Sequence, residues 1–266
     1  MNLSSCNRQT VLITGASRGI GYELAKIFAA SGYHLIVVGK DELRLRTICA
    51  ELGRKYTIPV HAIAVDLSLS GSAEQVVREI SRQSLKVDVL INNAGFGTFG
   101  PFQKTPAIRE SAMMQVNMVA LTELTKLLLK DMLARRSGRI LNVASTAAFQ
   151  PGPLMAVYYA SKAYVLSFTE ALANELRGSG VTVSVLCPGP TRTEFQRTAE
   201  IQPTTLSDWL SMDASTVAAI GYRGLMRENT LIIPGLVNKL LAFIARLVPR
   251  RLATGTVRMM HGARIS

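Results

Sequence analysis

The chain has 266 residues, of which 48% are hydrophobic and 18% are charged, a balance typical of a folded α/β protein and not of a disordered chain. Its net charge is +12, but segment 235–266 contributes half of this charge and contains no acidic residue. The rest of the chain is only mildly basic, so we interpret the charge as that of a solvated tail and expect no nucleic-acid partner.

Seven apolar runs rich in β-formers alternate with segments of helical period along the chain. Continuous apolar strands are typical of a parallel sheet covered on both faces, and the alternation indicates right-handed crossovers. We therefore predict an α/β fold of the Rossmann type, with a doubly wound, parallel, seven-stranded sheet and helices on both faces. The predicted strands are Thr10–Thr14, Tyr33–Val38, Val60–Val65, Val87–Ile91, Arg139–Val143, Val181–Leu186 and Leu231–Ile233.

The first predicted strand runs into a Gly-rich turn, Thr14-Gly15-Ala16-Ser17-Arg18-Gly19-Ile20-Gly21, which precedes a helical pattern over 22–30. Glycines at such a turn let the backbone approach a phosphate, and the helix N-terminus offers free amides and the positive end of its dipole. The spacing Gly-x-x-x-Gly-x-Gly differs from the common dinucleotide fingerprint, Gly-x-Gly-x-x-Gly. Taken alone, the motif also fits a simple tight turn.

Further motifs follow the ends of later strands. Asp66-Leu67 follows the third predicted strand, and Asn92-Asn93-Ala94-Gly95 follows the fourth. Ser145 follows the fifth, and Cys187-Pro188-Gly189-Pro190-Thr191-Arg192-Thr193 follows the sixth. In an open α/β sheet these positions border the crevice that binds the ligand.

The segment Tyr158-Tyr159-Ala160-Ser161-Lys162-Ala163-Tyr164 places three phenols around one lysine. On a helix, Tyr158 and Lys162 share a face at spacing i, i+4, and Tyr159 and Lys162 share one at i, i+3. Helical spacing therefore leaves both tyrosines as partners of the lysine. A Tyr–Lys pair one turn apart is by itself more often a surface contact.

In their order and spacing these motifs resemble the short-chain dehydrogenase/reductase family, from the Gly-rich turn to about Thr193. The family pattern Tyr-x-x-x-Lys, with a serine thirteen residues upstream, selects Tyr158 over Tyr159. The resemblance implies a catalytic tetrad of Asn117, Ser145, Tyr158 and Lys162, in which Asn117 helps to hold a water that links Lys162 to solvent. The cofactor-binding residues that it implies are Gly15, Ser17, Arg18, Gly19, Ile20, Gly21, Lys40, Asp66, Leu67, Asn93, Ala94, Gly95, Tyr158, Lys162, Pro188, Gly189, Thr191 and Thr193.

The reaction implied by this resemblance is hydride transfer between a nicotinamide and a carbonyl or alcohol. A phenol is a poor base at neutral pH, but a neighbouring ammonium favours its phenolate form. Lys162 can supply this charge, so Tyr158 would donate a proton to a carbonyl oxygen during reduction, and Ser145 would hydrogen-bond the same oxygen. The alternative hypothesis is a catalytically silent NADP(H)-binding regulator of the same fold; the intact tetrad favours the enzyme.

The residues after the second predicted strand indicate NADP(H) in preference to NAD(H). A site that prefers NAD(H) normally has an acid there, which binds the ribose hydroxyls. This chain has Gly39-Lys40, with Asp41 one residue later. Ser17 and Arg18 in the Gly-rich turn can reach a 2′-phosphate at the same place. We therefore predict NADP(H), and Asp41 is the residue that argues against it.

No linker or repeat divides the chain, so we predict a single domain with three parts. Residues 1–195 form the nucleotide-binding and catalytic core, and 235–266 form a basic amphipathic extension. By the family resemblance, 196–234 form a substrate lid and the last helix–strand unit. Apolar residues around the lid favour a lipophilic substrate, such as a steroid-like or acyl ketone. The predicted lining residues are Phe195, Leu206, Trp209, Leu210 and Met212 on the lid, and Phe149, Leu154 and Met155 opposite.

The C-terminal extension repeats apolar residues at helical spacing over 236–248, which predicts an amphipathic helix that ends at Pro249. Its apolar face would pack on the domain, on a second subunit or on an anionic membrane, and the pattern leaves these three open. The family resemblance also implies a homodimer or homotetramer, formed through helices over 117–133 and 158–176.

The remaining signals concern compartment and metals. The first ten residues lack a signal-peptide pattern, and no apolar run reaches the length of a spanning helix. The three cysteines and three histidines show no metal-ligand spacing. We expect a cytoplasmic protein, in peripheral contact with a membrane if the extension binds one, and no metal site.

Overall fold

The computed structural model describes residues 9–194 and 211–262. The strands in chain order are β1 (Thr10–Thr14), β2 (His34–Gly39), β3 (Val60–Ala64), β4 (Val89–Asn92), β5 (Gly138–Val143), β6 (Val181–Leu186), β7 (Thr191–Arg192), β8 (Met212–Asp213) and β9 (Leu231–Ile232). The α-helices are α1 (Gly19–Ala30), α2 (Glu42–Tyr56), α3 (Ser72–Arg82), α4 (Ala107–Met114), α5 (Leu121–Ala134), α6 (Ala156–Glu175), α7 (Ala214–Met226), α8 (Leu236–Leu247) and α9 (Arg250–Gly262).

Seven of these strands form one parallel sheet in the order β3-β2-β1-β4-β5-β6-β9. Each overlaps one of the seven predicted strands, so the predicted doubly wound fold is confirmed. The strand order reverses between β1 and β4, and connections therefore leave these two strands toward opposite faces. This reversal opens a crevice at their carboxyl ends, where sheets of this type bind ligands.

Two buried apolar layers cover the faces of the sheet. On one face, side chains of α1, α2 and α7, such as Phe28, Leu45 and Val217, pack on β1 and β2. On the other face, side chains of α3 and α5, such as Val76 and Leu124, pack on strands that include β4 and β5. Because both faces are covered, most residues of the central strands are apolar and do not alternate with polar ones, which is the pattern visible in the sequence.

A chain of buried polar side chains ties the centre of the sheet to α5 and α6. Asn92 Nδ2 on β4 donates to Thr125 Oγ1 at 3.0 Å and to Asn142 Oδ1 at 2.9 Å. Asn142 Nδ2 on β5 in turn donates to Thr169 Oγ1 on α6 at 3.0 Å. Paired polar groups in a dry interior specify one arrangement of the elements that carry them. They therefore help to fix the position of α6, which bears Tyr158 and Lys162.

Candidate active site

The Gly-rich turn has the backbone geometry that phosphate binding requires. Gly15 and Gly19 have φ angles of +63° and +55°, which side-chain-bearing residues rarely adopt. A Cβ atom at Gly15 would also lie 2.9 Å from Ala94 Cα. No acidic residue occupies the first turn of α1, and its N-cap residue, Arg18, makes no side-chain cap. The first amides of α1 are therefore available to an anionic group.

The ends of β1 and β4 are locked together beside this turn. Asn93 Nδ2 donates to the carbonyl oxygens of Thr14 and Gly15, at 3.0 and 3.1 Å. The backbone N–H groups of Asn93 and Ala94 each donate to Thr14 Oγ1 at 3.0 Å. These four bonds hold the Gly-rich turn against the segment after β4, so the two walls of the crevice keep a fixed separation.

A cavity of about 870 Å³ lies in the crevice, and most of the predicted site residues line it. The predicted residues on its surface are Gly15, Ser17, Arg18, Gly19, Ile20, Lys40, Asp66, Leu67, Asn93, Ala94, Gly95, Ser145, Tyr158, Lys162, Pro188, Gly189, Thr191 and Thr193. They come from the ends of β1 to β6 and from α6, so the chain folds distant motifs onto a single surface.

Two predicted residues do not line the cavity. Gly21 lies inside α1, where a Cβ atom would collide with Asn93 Nδ2 and the Gly15 carbonyl; its role is close packing. Asn117 lies in a π-helical segment, Gln115–Ala120, between α4 and α5. Its Nδ2 donates to the Phe96 carbonyl and to Ser161 Oγ, both at 3.0 Å. The Asn117 side chain is thus held from two sides, by the segment after β4 and by α6. π-Helical turns of this kind often mark functional sites.

Ser145, Tyr158 and Lys162 meet at the centre of the cavity. Ser145 Oγ accepts a hydrogen bond from Ala147 N at 3.1 Å and caps the short helix Thr146–Phe149. Burial raises the pKa of Tyr158, although its hydrogen bond with Ser145 opposes the shift. The phenol is therefore protonated at neutral pH, the form that a proton donor needs.

Lys162 is buried beside Tyr158. Its Nζ donates to the Val143 carbonyl at 3.0 Å and lies 5.8 Å from the centroid of the Tyr158 ring. Burial lowers the pKa of Lys162 to about 8. At pH 7 the ammonium form still dominates, so a positive charge stands next to the phenol, as predicted from the chemistry of the pair. A Cβ atom at Gly95 would lie 3.0 Å from Asn117 Oδ1 and 3.3 Å from Lys162 Nζ, so both groups border this glycine.

The structure separates the three tyrosines of segment 158–164. Tyr158 is buried beside Ser145 and Lys162. Tyr159 also lines the cavity, but its hydroxyl contacts His261 on α9. Tyr164 points away, to Thr122 on α5 and to a stacked Phe168 ring. Among the three, the Tyr158 hydroxyl is the one that lies with Ser145 and Lys162.

The region after β2 contains a cation that the sequence interpretation missed. Arg44, on α2, donates from Nε to the Ser17 carbonyl at 2.9 Å, and both Arg44 and Arg18 pair with Glu194. Asp41 caps α2, because its Oδ1 accepts from Arg44 N at 3.0 Å. The acid that argued against NADP(H) therefore has a structural role, and the two arginines already hold an anionic group beside the Gly-rich turn.

Asp66 lies two residues after the end of β3 and lines the same cavity. Burial disfavours its charged form, but hydrogen bonds from Ser68 and the nearby charge of Lys40 outweigh this effect and lower the pKa of Asp66. Asp66 Oδ1 accepts from Ser68 N at 2.9 Å and from Ser68 Oγ at 2.7 Å. Its orientation is thus fixed before any ligand binds.

The apolar end of the cavity is built differently from the prediction. Met155 lines it, but Phe149 packs under the Arg246 guanidinium, Leu154 sits in a turn with φ +68° and Met212 belongs to β8. Phe195, Leu206, Trp209 and Leu210 lie outside the described residues. Among the described residues, α8, α9 and the link between them contribute Leu241, Ile244, Val248, Val257 and Met260 to its walls.

The C-terminal extension also differs from the prediction. The expected helix over 236–248 is present as α8, but the chain does not end its helical course at Pro249. A second helix, α9, starts at Arg250, and Leu252 N donates to the Pro249 carbonyl at 2.9 Å. A proline can mark the start of a helix as well as the end of one, and Pro249 stands between the end of α8 and the start of α9.

Comparison with known proteins gives the family. The family model for short chain dehydrogenases matches residues 9–203. A very-long-chain 3-oxoacyl-CoA reductase of Pyrenophora tritici-repentis is 38% identical over 65% of this chain and 52% of its own length. A solved short-chain dehydrogenase from Sphingobium yanoikuyae, in complex with NADPH, has a TM-score of 0.80 and 32% identity over 89% of this chain and 92% of that one. Another, from Burkholderia phymatum in complex with NAD, has a TM-score of 0.79 and 25% identity over 89% and 92%.

The chain therefore belongs to the short-chain dehydrogenase family of oxidoreductases. The match spans only 52% to 65% of the length of several curated relatives. The similar structures hold NADPH or NAD, which supports a nicotinamide cofactor. Within the described residues, none of the helices has the length and apolar character to cross a bilayer.

Proposed function

We propose that the protein is an NADPH-dependent reductase of lipophilic ketones. The observation that carries this proposal is the convergence of Ser145, Tyr158 and Lys162 on a cavity that also contains the Gly-rich turn. The turn offers the first amides of α1 and, at Gly15 and Gly19, backbone without a Cβ atom, and the other end of the cavity is apolar. The Gly-rich turn and the cavity beside it therefore fit a dinucleotide such as NADPH.

The proposed roles follow from the positions of the side chains. NADPH would supply the hydride, and the turn Gly15–Gly21, with Asn93 and Thr191, would hold it. Tyr158, protonated because it is buried, would give its proton to the carbonyl oxygen. Ser145 would donate a hydrogen bond to the same oxygen, and Lys162 would stabilise the phenolate that remains. Asn117 would keep Lys162 and the segment around Phe96 in place.

The substrate proposal rests on the apolar walls contributed by α8 and α9, together with the names of relatives such as the 3-oxoacyl-CoA reductase. The test follows oxidation of NADPH with butanone, dodecan-2-one and a 3-oxoacyl thioester. We expect the long substrates to react faster than butanone at equal concentration. If NADPH binds but none of the three is reduced, the alternative of a silent NADP(H)-binding regulator replaces the enzyme.

The proposed preference for NADPH gives a first prediction. Three cations lie near the end of β2: Arg18 in the Gly-rich turn, Lys40 directly after β2, and Arg44 on α2. Charge-assisted hydrogen bonds from such cations to a phosphate are stronger than neutral ones. The combined change Arg18→Ala and Lys40→Asp should lower the affinity for NADPH about ten-fold or more and leave that for NADH nearly unchanged. Titration of both cofactors by fluorescence measures this.

Arg46→Ala is the matched control, because Arg46 is an exposed arginine of α2 that pairs with Glu42. This variant should keep the preference of the unmodified protein. Equal affinity of the unmodified protein for NADPH and NADH would contradict the assignment, and so would a preference that survives the double change.

The C-terminal helices support a second proposal, peripheral contact with an anionic membrane. Leu236, Leu240, Phe243 and Leu247 follow one another at helical spacing on the outer face of α8, with exposures of 81%, 59%, 60% and 69%. Lys239, Arg246, Arg250, Arg251 and Arg258 accompany them, and no acidic residue follows Glu228 in the chain. Apolar and basic side chains together suit a surface of anionic lipids.

This proposal predicts binding to vesicles of phosphatidylcholine and phosphatidylserine at low salt, with weaker binding as salt rises. Leu240→Ser with Phe243→Ser should reduce co-sedimentation about ten-fold or more, because both side chains leave the lipid interface. Ile108→Ser is the control, since Ile108 is 82% exposed and belongs to α4.

The alternative to a membrane is a second copy of the chain, packed on the exposed apolar face of α8. A homodimer or homotetramer, proposed from the family resemblance, would instead use the helices over 117–133 and 158–176. Sedimentation velocity separates these cases: if the Leu240 and Phe243 changes dissociate an oligomer and vesicles do not bind, the face is a subunit interface and the membrane proposal fails.

A further inference from the structure

The hydroxyl group of Tyr159 connects the active-site helix α6 to the far end of the chain. Its oxygen lies 3.2 Å from Nε2 of His261, which is 102 residues away in sequence. The two rings meet edge to face, with centroids 5.7 Å apart. His261 is only 5% exposed, although it lies one residue before the end of α9. A buried polar side chain needs such partners, so this contact anchors the helix.

The hydrogen bond between His261 and the Pro153 carbonyl determines which group donates in the hydrogen bond between His261 and Tyr159. Nδ1 lies 2.7 Å from the carbonyl oxygen of Pro153, which can only accept. Nδ1 therefore carries the hydrogen, and in the neutral ring Nε2 accepts from the Tyr159 hydroxyl. The imidazole bridges the turn before α6 and the second tyrosine of α6. The Phe99 ring packs edge to face on the imidazole as well, at 6.0 Å between centroids.

The anchored helix forms the apolar wall of the cavity. Thr256, Val257, Met260 and His261 all line it, and their spacing places them on one face of α9. On the opposite face, Leu252 and Met259 are 64% and 72% exposed. Within α9, Val257 and His261 are the buried residues, and His261 is the one whose polar ring atoms bond to the rest of the domain.

We propose that the Tyr159–His261 hydrogen bond holds α9 over the substrate end of the cavity, which makes both side chains positioning residues for long apolar ketones. The dependence on substrate length rests on the proposed function; the anchoring of α9 does not. The two neighbouring tyrosines thus have different roles. Tyr158 acts on the carbonyl group, and Tyr159 holds α9, which contacts the apolar chain of the substrate.

The anchoring is tested by hydrogen–deuterium exchange of the amides of segment 250–262, which requires no substrate. Tyr159→Phe should accelerate exchange about five-fold, the effect of losing one hydrogen bond. His261→Ala should accelerate it more, because it also removes the bond to Pro153 and the ring contacts. Adding Tyr159→Phe to His261→Ala should accelerate exchange less than Tyr159→Phe does alone, because the His261 partner of its hydroxyl is already absent. Tyr164→Phe is the control, since its hydroxyl contacts Thr122 outside the cavity.

The effect on substrate is tested with the same variants and saturating NADPH. The KM for dodecan-2-one should rise about five-fold in Tyr159→Phe and His261→Ala, whereas the KM for butanone, too short to reach α9, should change less than about two-fold. Unchanged exchange in both single variants overturns the anchor. Raised exchange with equal KM changes for both ketones overturns the role in substrate length. If the unmodified protein reduces no ketone, the proposed function fails, and the exchange result still decides the anchor.

Discussion

Tyr158→Phe should lower the turnover of any accepted ketone about a hundred-fold or more, while folding and NADPH affinity stay close to those of the unmodified protein. The change removes one hydroxyl from a buried ring and leaves its packing intact. Burial keeps this phenol protonated, and Ser145 is its hydrogen-bond partner, so it is the proton donor that the carbonyl oxygen would meet. Steady-state kinetics with saturating NADPH measure the loss.

Two neighbours serve as controls for this change. Tyr159→Phe removes a hydroxyl one residue away and should reduce turnover far less, because its oxygen contacts His261. Tyr164→Phe alters a hydroxyl on the outer side of α6. Circular dichroism and NADPH titration establish that each variant folds and binds. Near-normal turnover for Tyr158→Phe, or a larger loss for Tyr159→Phe, would show that the proton comes from elsewhere.

Lys162→Met should produce a loss of the same order and also weaken NADPH binding, since Lys162 lines the cavity beside Tyr158. The change removes the charge that stabilises the phenolate formed when Tyr158 gives up its proton. Burial places the pKa of Lys162 at about 8, so the charge is present below this pH and lost above it. For reduction, kcat/KM of the unmodified protein should therefore fall as pH rises through about 8, and this limb should vanish in Lys162→Met.

The combined variant distinguishes one shared step from two separate ones. If both residues act on a single proton transfer, Tyr158→Phe with Lys162→Met should cost less than the product of the two single losses. Fully multiplicative losses would contradict the shared step. If kcat/KM of Lys162→Met still falls as pH rises through about 8, the titrating group is not Lys162.

The sheet was predictable from local patterns, and the centre of the site only in part. Parallel strands covered on both faces are continuously apolar, so each of the seven runs is visible without knowledge of its neighbours. For the site, helical spacing left both Tyr158 and Tyr159 as partners of Lys162, and only the resemblance to the family favoured Tyr158 with Ser145. Strand burial and helical spacing act between residues close together in the chain, so their effects are visible in the sequence.

Contacts between distant segments leave no such record. From its position after β2, Asp41 argued against NADP(H), and its capping of α2 is visible only in the structure. Nothing in the sequence relates Arg44 to Ser17 or Glu194. The periodicity of 236–248 predicted an amphipathic helix but not the surface that it covers. His261 is a lone histidine in the sequence, and it meets Tyr159 only because α8 and α9 fold back over the cavity. Which residues close the site depends on packing between elements far apart in the chain, and periodicity and short motifs describe only neighbours along it.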